Sequence, residues 1–209
     1  MDSEDLLAQD APPCEPVGES ARKRFAVVCA IILFNQLSGS STSLALGQYV
    51  FAQVSGPEAE GVGWAFTKIA FLQVVVTFLA GQLLDKFTRR SFMLEGMRVI
   101  LVANLLLALI EFAAPELKYL EYLVIALHMI GFSLSFGPLS FVLATELMHD
   151  ITYPTMLFWV LIFASGLSGD VLLVRYGAAA LFLFFAGVTV VGLFYLGGYL
   201  VETKDRSRQ

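Results

Sequence analysis

The chain has 209 residues, of which 57% are apolar and 15% are charged, and its mean hydropathy is +0.75. These values exclude an ordinary water-soluble globular domain and indicate an integral membrane protein. The formal net charge of -5 adds little, because the acidic residues lie mostly in the N-terminal tail and in predicted loops.

Residues 1–24 differ in composition from everything that follows. They are rich in acidic residues and proline, and they end in the basic cluster Arg22–Arg24. Such a segment cannot bury enough apolar surface to fold, so a disordered tail is predicted. It does not have the order of a cleavable secretory signal, and we expect it to stay in the mature protein. Asp2, Leu6 and Leu7 have the spacing of an acidic dileucine sorting signal, with a plain solvated tail as the alternative.

Residues 25–200 form one predicted transmembrane domain with six apolar stretches. A bilayer core about 30 Å thick requires about 20 apolar residues for each helix that crosses it. The predicted fold class is all-α, because these runs are too long and too continuous for barrel strands and a backbone in lipid must satisfy its own hydrogen bonds. The six helices are predicted to begin near Phe25, Val62, Met97, Tyr119, Pro154 and Gly177.

The basic residues predict the orientation. Most of them fall in the N-terminal tail, in the connection after the second stretch and in the C-terminal tail, residues 201–209, whereas the opposite side has only Lys118 and Arg175. Because cytoplasmic segments carry an excess of lysine and arginine, both termini are predicted to be cytoplasmic. Whether the membrane is the plasma membrane or an endolysosomal one stays open.

Four short motifs in this chain resemble those of a known family, in the same order. Asn35–Gly39 resembles the Gln-Gln-Leu-Ser-Gly motif of its seventh helix, and Gly81–Arg90 resembles its Gly-x-x-x-Asp-Arg-x-Gly-Arg-Arg loop. Gly137-Pro138 with Glu146 resembles the motif of its tenth helix, and Val201–Lys204 resembles the Pro-Glu-Thr-Lys after its last helix. The chain thus resembles the C-terminal half of a sugar porter of the major facilitator superfamily, the branch that includes the facilitative glucose transporters. This resemblance implies a six-helix half built from a 3+3 inverted repeat.

The resemblance also implies a substrate site. Gln36 and Trp159 match the family, whereas the other positions carry different side chains, so much of the hydrogen-bonding capacity for a pyranose has been lost. The substrate-binding residues implied by the resemblance are Asn35, Gln36, Ser41, Gln73, Phe141 and Trp159.

A cytoplasmic gate of charged residues is implied in the same way. Partly desolvated ion pairs at helix ends can break and form again as two bundles rock. The alternative is that the arginine pair only sets the orientation and that Glu146 only caps an interface. Gly137 and Pro138, in mid-span, are predicted to kink the fourth helix. The implied gate residues are Asp85, Arg89, Arg90, Glu146 and Glu202.

The predicted function is facilitative transport of a hexose or related polyol by a half-size or truncated unit, and the alternative is a transport-inactive subunit that binds other membrane proteins. The sequence has no phosphate loop, metal cluster or nucleophile–base arrangement, so no enzyme activity and no cofactor are predicted. His128 is interpreted as a core histidine. Lys68 is interpreted as a lysine that extends its ammonium group to the nearer membrane surface. The predicted partners are a small-molecule substrate, the lipid bilayer and a second six-helix half or a second copy, and no nucleic acid.

Overall fold

The computed structural model describes residues 19–43, 59–84, 87–148 and 150–200. The regular secondary structure of this part of the chain consists of helices, without a strand, so the predicted all-α fold class is confirmed. The helices are α1 (Glu19–Leu37), α2 (Ala59–Leu84), α3 (Arg89–Ala113), α4 (Lys118–Leu134), α5 (Phe136–Leu147) and α6 (Thr152–Tyr199).

Six helical stretches among the described residues are long and apolar enough to cross a membrane, which confirms the predicted number of spans. α4 and α5 together make one span, whereas α6 contains two. The helical geometry of α6 is interrupted at Gly177, whose φ of 80° and ψ of 169° are open essentially only to glycine. In order, the spans are Ala21–Ser43, Thr67–Leu84, Arg89–Ala113, Lys118–Leu147, Thr152–Gly169 and Val171–Tyr199.

The third span is the axis of the packing. It contacts α4 and α6 along its length, and its buried side chains belong to two successive apolar clusters. Its first half, from Met93 to Ile100, packs with buried residues of α1, α5 and the end of α6. Its second half, from Ala103 to Ile110, packs with α2, α4 and the middle of α6.

The second and fifth spans are mostly uncovered. Only 11% of the residues of the second span and 17% of those of the fifth are buried, against 39% to 56% in the most apolar stretches of the other four. Their exposed side chains include large apolar ones such as Phe71, Phe78, Trp159 and Phe163. Most of the surface of these two spans therefore has no internal packing partner in the described residues.

Two glycines allow the third and fourth spans to touch through their backbones. A Cβ atom added at Gly96 would lie 2.6 Å from Ser135 Cβ and 2.9 Å from Gly131 O, and one added at Gly131 would lie 3.0 Å from Gly96 O. Within lipid, helices associate by close packing rather than by a hydrophobic force, and small residues at the crossing make that packing possible.

Gly96→Ala is expected to lower the free energy of unfolding by about 1–3 kcal/mol, because the added methyl group meets backbone at the crossing. The matched control is Gly187→Ala in the sixth span, where an added Cβ meets nothing within 4 Å and little change is expected. Denaturation of both purified variants in detergent micelles, followed by circular dichroism, measures the difference. Equal stability of the two variants would contradict the backbone contact.

Candidate functional site

The first span is broken at the point where its polar residues lie. α1 ends at Leu37, and the span continues with a turn in which the Ser43 N–H donates to Gly39 O at 2.7 Å. Gly39 has a φ of 89°, and a Cβ atom there would lie 2.3 Å from Phe185 Cδ2. Only glycine fits this break, which frees the peptide groups around it from regular helical bonding.

Asn35 and Gln36 lie just before the break and are buried. Asn35 Nδ2 donates to Ser140 Oγ at 2.9 Å and to Phe136 O at 3.3 Å, and so joins the first span to α5. Gln36 Nε2 donates to Asn35 Oδ1 at 3.0 Å. Gln36 Oε1 is buried and has no hydrogen-bond partner in the described part of the chain. One amide oxygen therefore remains able to accept a bond from a ligand or a water molecule.

Asn104 extends this amide network to the third span, and the sequence analysis missed it. Its Nδ2 donates to Ser38 O at 3.2 Å, while Ser38 Oγ donates to Asn35 O at 2.8 Å. Asn104 is fully buried. The signal in the sequence was its position, an amide within a run of Leu, Val and Ala. A polar residue inside a span must face protein or a cavity, so this position indicated burial.

The aromatic residues of the predicted site lie together, where the fifth span meets α5. Phe158 contacts Phe141 and Trp159 with ring centroids 5.2 Å and 5.7 Å apart, both edge to face. Trp159 is 63% exposed and Phe141 is 39% exposed. Phe141 directly follows Ser140, the partner of Asn35, so α5 carries both the aromatic group and a bond to the amide network.

Other polar residues of the spans stand apart from these groups. Ser41 is exposed and Gln73 is half-buried. His128 is fully buried, and within the described residues neither of its ring nitrogens has a hydrogen-bond partner. The hydroxyl groups of Ser43 and Ser133 are also buried and have no hydrogen-bond partner among the described residues.

Two predicted gate residues form an ion pair. Arg89, the first residue of α3, binds Glu146 in the last turn of α5, and the two side chains are only 19% and 22% exposed. Arg90 donates to the carbonyl of Gly197, near the end of the sixth span. A cation at a helix N-terminus and an anion at a C-terminus each oppose the helix dipole, so each charge is better tolerated when it is paired with the other. Asp85 and Glu202 lie outside the described residues.

The fourth span is interrupted at Ser135, between α4 and α5. The Ser135 N–H and Oγ both donate to Gly131 O, at 3.0 Å and 2.8 Å. Pro138 is the third residue of α5, where a helix has no internal partner for an N–H in any case. Gly137 and Pro138 thus lie in the first turn after the interruption.

A charged cluster lies at the other end of the bundle. Lys118 Nζ donates to Glu111 Oε1 at 3.2 Å and to Glu121 Oε2 at 3.1 Å. Glu121 is fully buried, and its Oε1 has no partner among the described residues. Sequence reasoning placed Lys118 on this side of the membrane but missed both glutamates. Glu121 lies three residues along the same helix, and this spacing was the available signal, whereas only the packing of α3 against α4 brings Glu111 to the lysine.

The comparison with known proteins decides the family. Residues 15–209 match the family described as "Sugar (and other) transporter". The chain belongs to this family. The resemblance to sugar porters of the major facilitator superfamily is thereby confirmed, and with six apolar helices the chain is an integral, multi-pass membrane protein.

Curated relatives agree with this family. The chain is 28% identical over 194 residues to plastidic glucose transporter 4 of Arabidopsis thaliana, covering 88% of this chain and 35% of the relative. It is 28% identical over 145 residues to the mouse solute carrier family 2, facilitated glucose transporter member 7, covering 65% and 28%. It is 23% identical over 200 residues to the galactose-proton symporter of Escherichia coli (strain K12), covering 90% and 43%. The chain therefore spans less than half the length of these relatives, all of which are named as transporters.

Lys118→Met is expected to lower the free energy of unfolding by about 3 kcal/mol, because it leaves the buried Glu121 carboxylate without its cation. Lys118→Met with Glu121→Gln should recover part of this loss, since a neutral amide is less costly to bury. Lys68→Met, which removes an exposed lysine from the second span, should change stability by no more than about 0.5 kcal/mol. Denaturant titration in micelles compares the three; a Lys118→Met variant as stable as Lys68→Met would refute the cluster's structural role.

Proposed function

We propose that this chain is a six-helix unit of a facilitative sugar transporter whose substrate is a hexose or a related polyol. The observation that carries the proposal is the exposed aromatic face of Phe141 and Trp159, which both contact Phe158, beside a bonded amide network. Relatives named as glucose transporters and as a galactose-proton symporter support a sugar as the class of substrate.

The proposed substrate site combines stacking with a small number of hydrogen bonds. A sugar ring has apolar C–H faces that pack on aromatic rings and hydroxyl groups that bind side-chain amides. Trp159 and Phe141 would provide the aromatic surface, and Gln36 Oε1 would accept a hydroxyl proton. Because Gln36 is only 4% exposed here, the sugar would reach it after a movement of the first span. Asn35 would hold the Gln36 amide in place, and Ser41 and Gln73 would bind at the edge.

A second six-helix half or a second copy would cover the second and fifth spans. Substrate sites of this superfamily lie at the membrane midplane between two halves. The low burial of these two spans and their exposed aromatic side chains are what such an arrangement requires. The partner would thus close the site from the opposite side.

The Arg89–Glu146 pair would act as a gate on the cytoplasmic side, with Arg90, Asp85 and Glu202 as further members. The pair joins the start of the third span to the end of the fourth, so it would hold those ends together in one state and release them in another. Both termini would be cytoplasmic, as the excess of basic residues at this end of the bundle favours.

A second candidate function is a transport-inactive subunit that binds other membrane proteins. The uncovered aromatic face is also compatible with a protein partner, and several positions that match sugar-binding residues of the family carry side chains with fewer hydrogen-bonding groups. Transport assays on the purified chain separate the two candidates.

Uptake of radiolabelled glucose and sorbitol into liposomes that hold only this chain is expected to saturate with substrate concentration. Gln36→Ala should raise the KM about 2- to 10-fold, the equivalent of one lost hydrogen bond. Trp159→Ala should lower uptake by about tenfold or more through lost stacking. Phe112→Ala, which removes a still more exposed aromatic ring from the third span, serves as the control and should leave uptake unchanged.

The outcomes of this assay are distinct. Uptake that saturates and falls in both site variants supports the site. Uptake that appears only when a second six-helix half is added supports a partner-dependent unit. No uptake in either case, from protein shown by circular dichroism to be helical, would favour the non-transporting subunit.

Exchanging the two gate charges gives a separate test. Arg89→Glu alone puts two carboxylates together and should destabilise the protein, whereas Arg89→Glu with Glu146→Arg restores an ion pair that now agrees with both helix dipoles. The double variant should therefore be at least as stable as the original but transport more slowly, because its gate opens less readily. Glu116→Arg, in an exposed loop, is the control. Unchanged uptake in the double variant would mean that the pair is only structural.

A further inference from the structure

A groove of about 400 Å³ runs between the third and fourth spans, outside the amide network and the aromatic face. Gly96 is among its lining residues, and apolar side chains form most of its walls. The groove therefore lies next to the close crossing of the two helices at Gly96. The apolar lining consists of Phe92, Val99, Val102, Leu127 and Leu134.

An ion pair lies at the edge of this groove. Arg98 binds Glu95 one turn earlier on the same helix, and both side chains line the groove. Although they are paired, Arg98 is 60% exposed and Glu95 is 64% exposed. Each charged group therefore has room for a further partner.

The depth of this pair in the membrane makes it costly without such a partner. With a rise of 1.5 Å per residue, Arg98 lies about 13 Å along the helix from Arg89, and the 25-residue span is about 37 Å long. Centred on a hydrocarbon core of about 30 Å, the span places Glu95 about 5 Å and Arg98 about 10 Å below one surface of the core. Charged side chains at this depth are unfavourable unless they reach polar groups, and an arginine side chain leans toward the helix N-terminus, here toward the nearer head groups.

We propose that the groove binds one molecule of a phospholipid with an ethanolamine head group. The Arg98 guanidinium donates to the lipid phosphate, and the lipid ammonium donates to the Glu95 carboxylate. One acyl chain lies along Val99, Val102 and Leu127, toward the membrane centre. The occupant follows from charge complementarity, since a neutral pair of opposite charges matches a head group that also carries one charge of each sign.

The same chemistry ranks the common phospholipids. The ethanolamine ammonium has three N–H donors for Glu95, whereas a choline head group has a cation without a donor. An anionic glycerol head group binds Arg98 but meets repulsion from Glu95. The ethanolamine lipid should therefore bind most tightly.

Native mass spectrometry of the purified, delipidated full chain tests the proposal. The protein is titrated with phosphatidylethanolamine, phosphatidylcholine and phosphatidylglycerol that have identical acyl chains. The ethanolamine lipid should bind at least about fivefold more tightly than the other two. Arg98→Gln should weaken binding of all three lipids by about tenfold, whereas Glu95→Gln should abolish the preference for ethanolamine over glycerol. Lys68→Gln, which removes another exposed membrane charge, should leave binding unchanged.

Val102→Trp provides a test of the groove that changes no charge. Val102 is exposed and lines the groove, so a larger side chain should displace the acyl chain and weaken all three lipids without disturbing the fold. The proposal would be overturned if the three lipids bound with equal affinity, or if none of the three groove variants changed the lipid affinity. A dimer in the spectra that disappears in Val102→Trp, while lipid binding persists, would assign the groove to a second copy instead. If a variant fails to fold, the relative affinities of the unaltered chain for the three lipids still test the proposal.

Discussion

The backbone contact between Gly96 and Gly131 is the constraint on which most of this structure depends. The position of a Cβ at Gly96 is occupied by Ser135, the residue at which the fourth span is interrupted, and Gly131 O accepts both bonds that Ser135 donates. The crossing and the interruption are thus one feature. By ending α4 here, the chain can start α5 in a new direction, and from α5 Ser140 reaches Asn35 and Glu146 reaches Arg89.

The broken first and fourth spans are related by more than their shared hydrogen bonds. In a half built from two three-helix repeats, these spans are the first helix of each repeat, and both are interrupted, the first after Leu37 and the fourth at Ser135. Non-helical backbone within a membrane is tolerated only where protein or a water-filled cavity satisfies it. Asn35 and Asn104 provide that compensation by donating to Phe136 O and Ser38 O. The amide network therefore stabilises the breaks, whatever else it binds.

The sequence predicted the elements better than their interior contacts. Long apolar runs determine where helices cross lipid, so the six spans and the all-α class could be derived from composition and length. Pro138 indicated an irregular fourth helix, but the break is at Ser135, because proline fits the first turn of α5 and the glycine crossing sets the position. Gln36, which the resemblance implied as a substrate-binding residue, is buried, and Glu121 gave no sign of burial. The burial of such side chains depends on which helices become neighbours, and no local sequence pattern encodes that.

An exposed apolar face does not by itself require a protein partner in a bilayer, because lipid tails satisfy it equally well. What distinguishes the faces of this unit is therefore their polar and aromatic content. The outer face of the third and fourth spans carries a charged pair that a head group can neutralise, which suits lipid. The mostly uncovered second and fifth spans carry the half-buried Gln73 and the exposed Trp159, and Trp159 contacts Phe158, which in turn contacts Phe141. Under the proposed function, a sugar ring and a second six-helix half would cover the surface around Trp159, so the two surfaces differ in what should cover them.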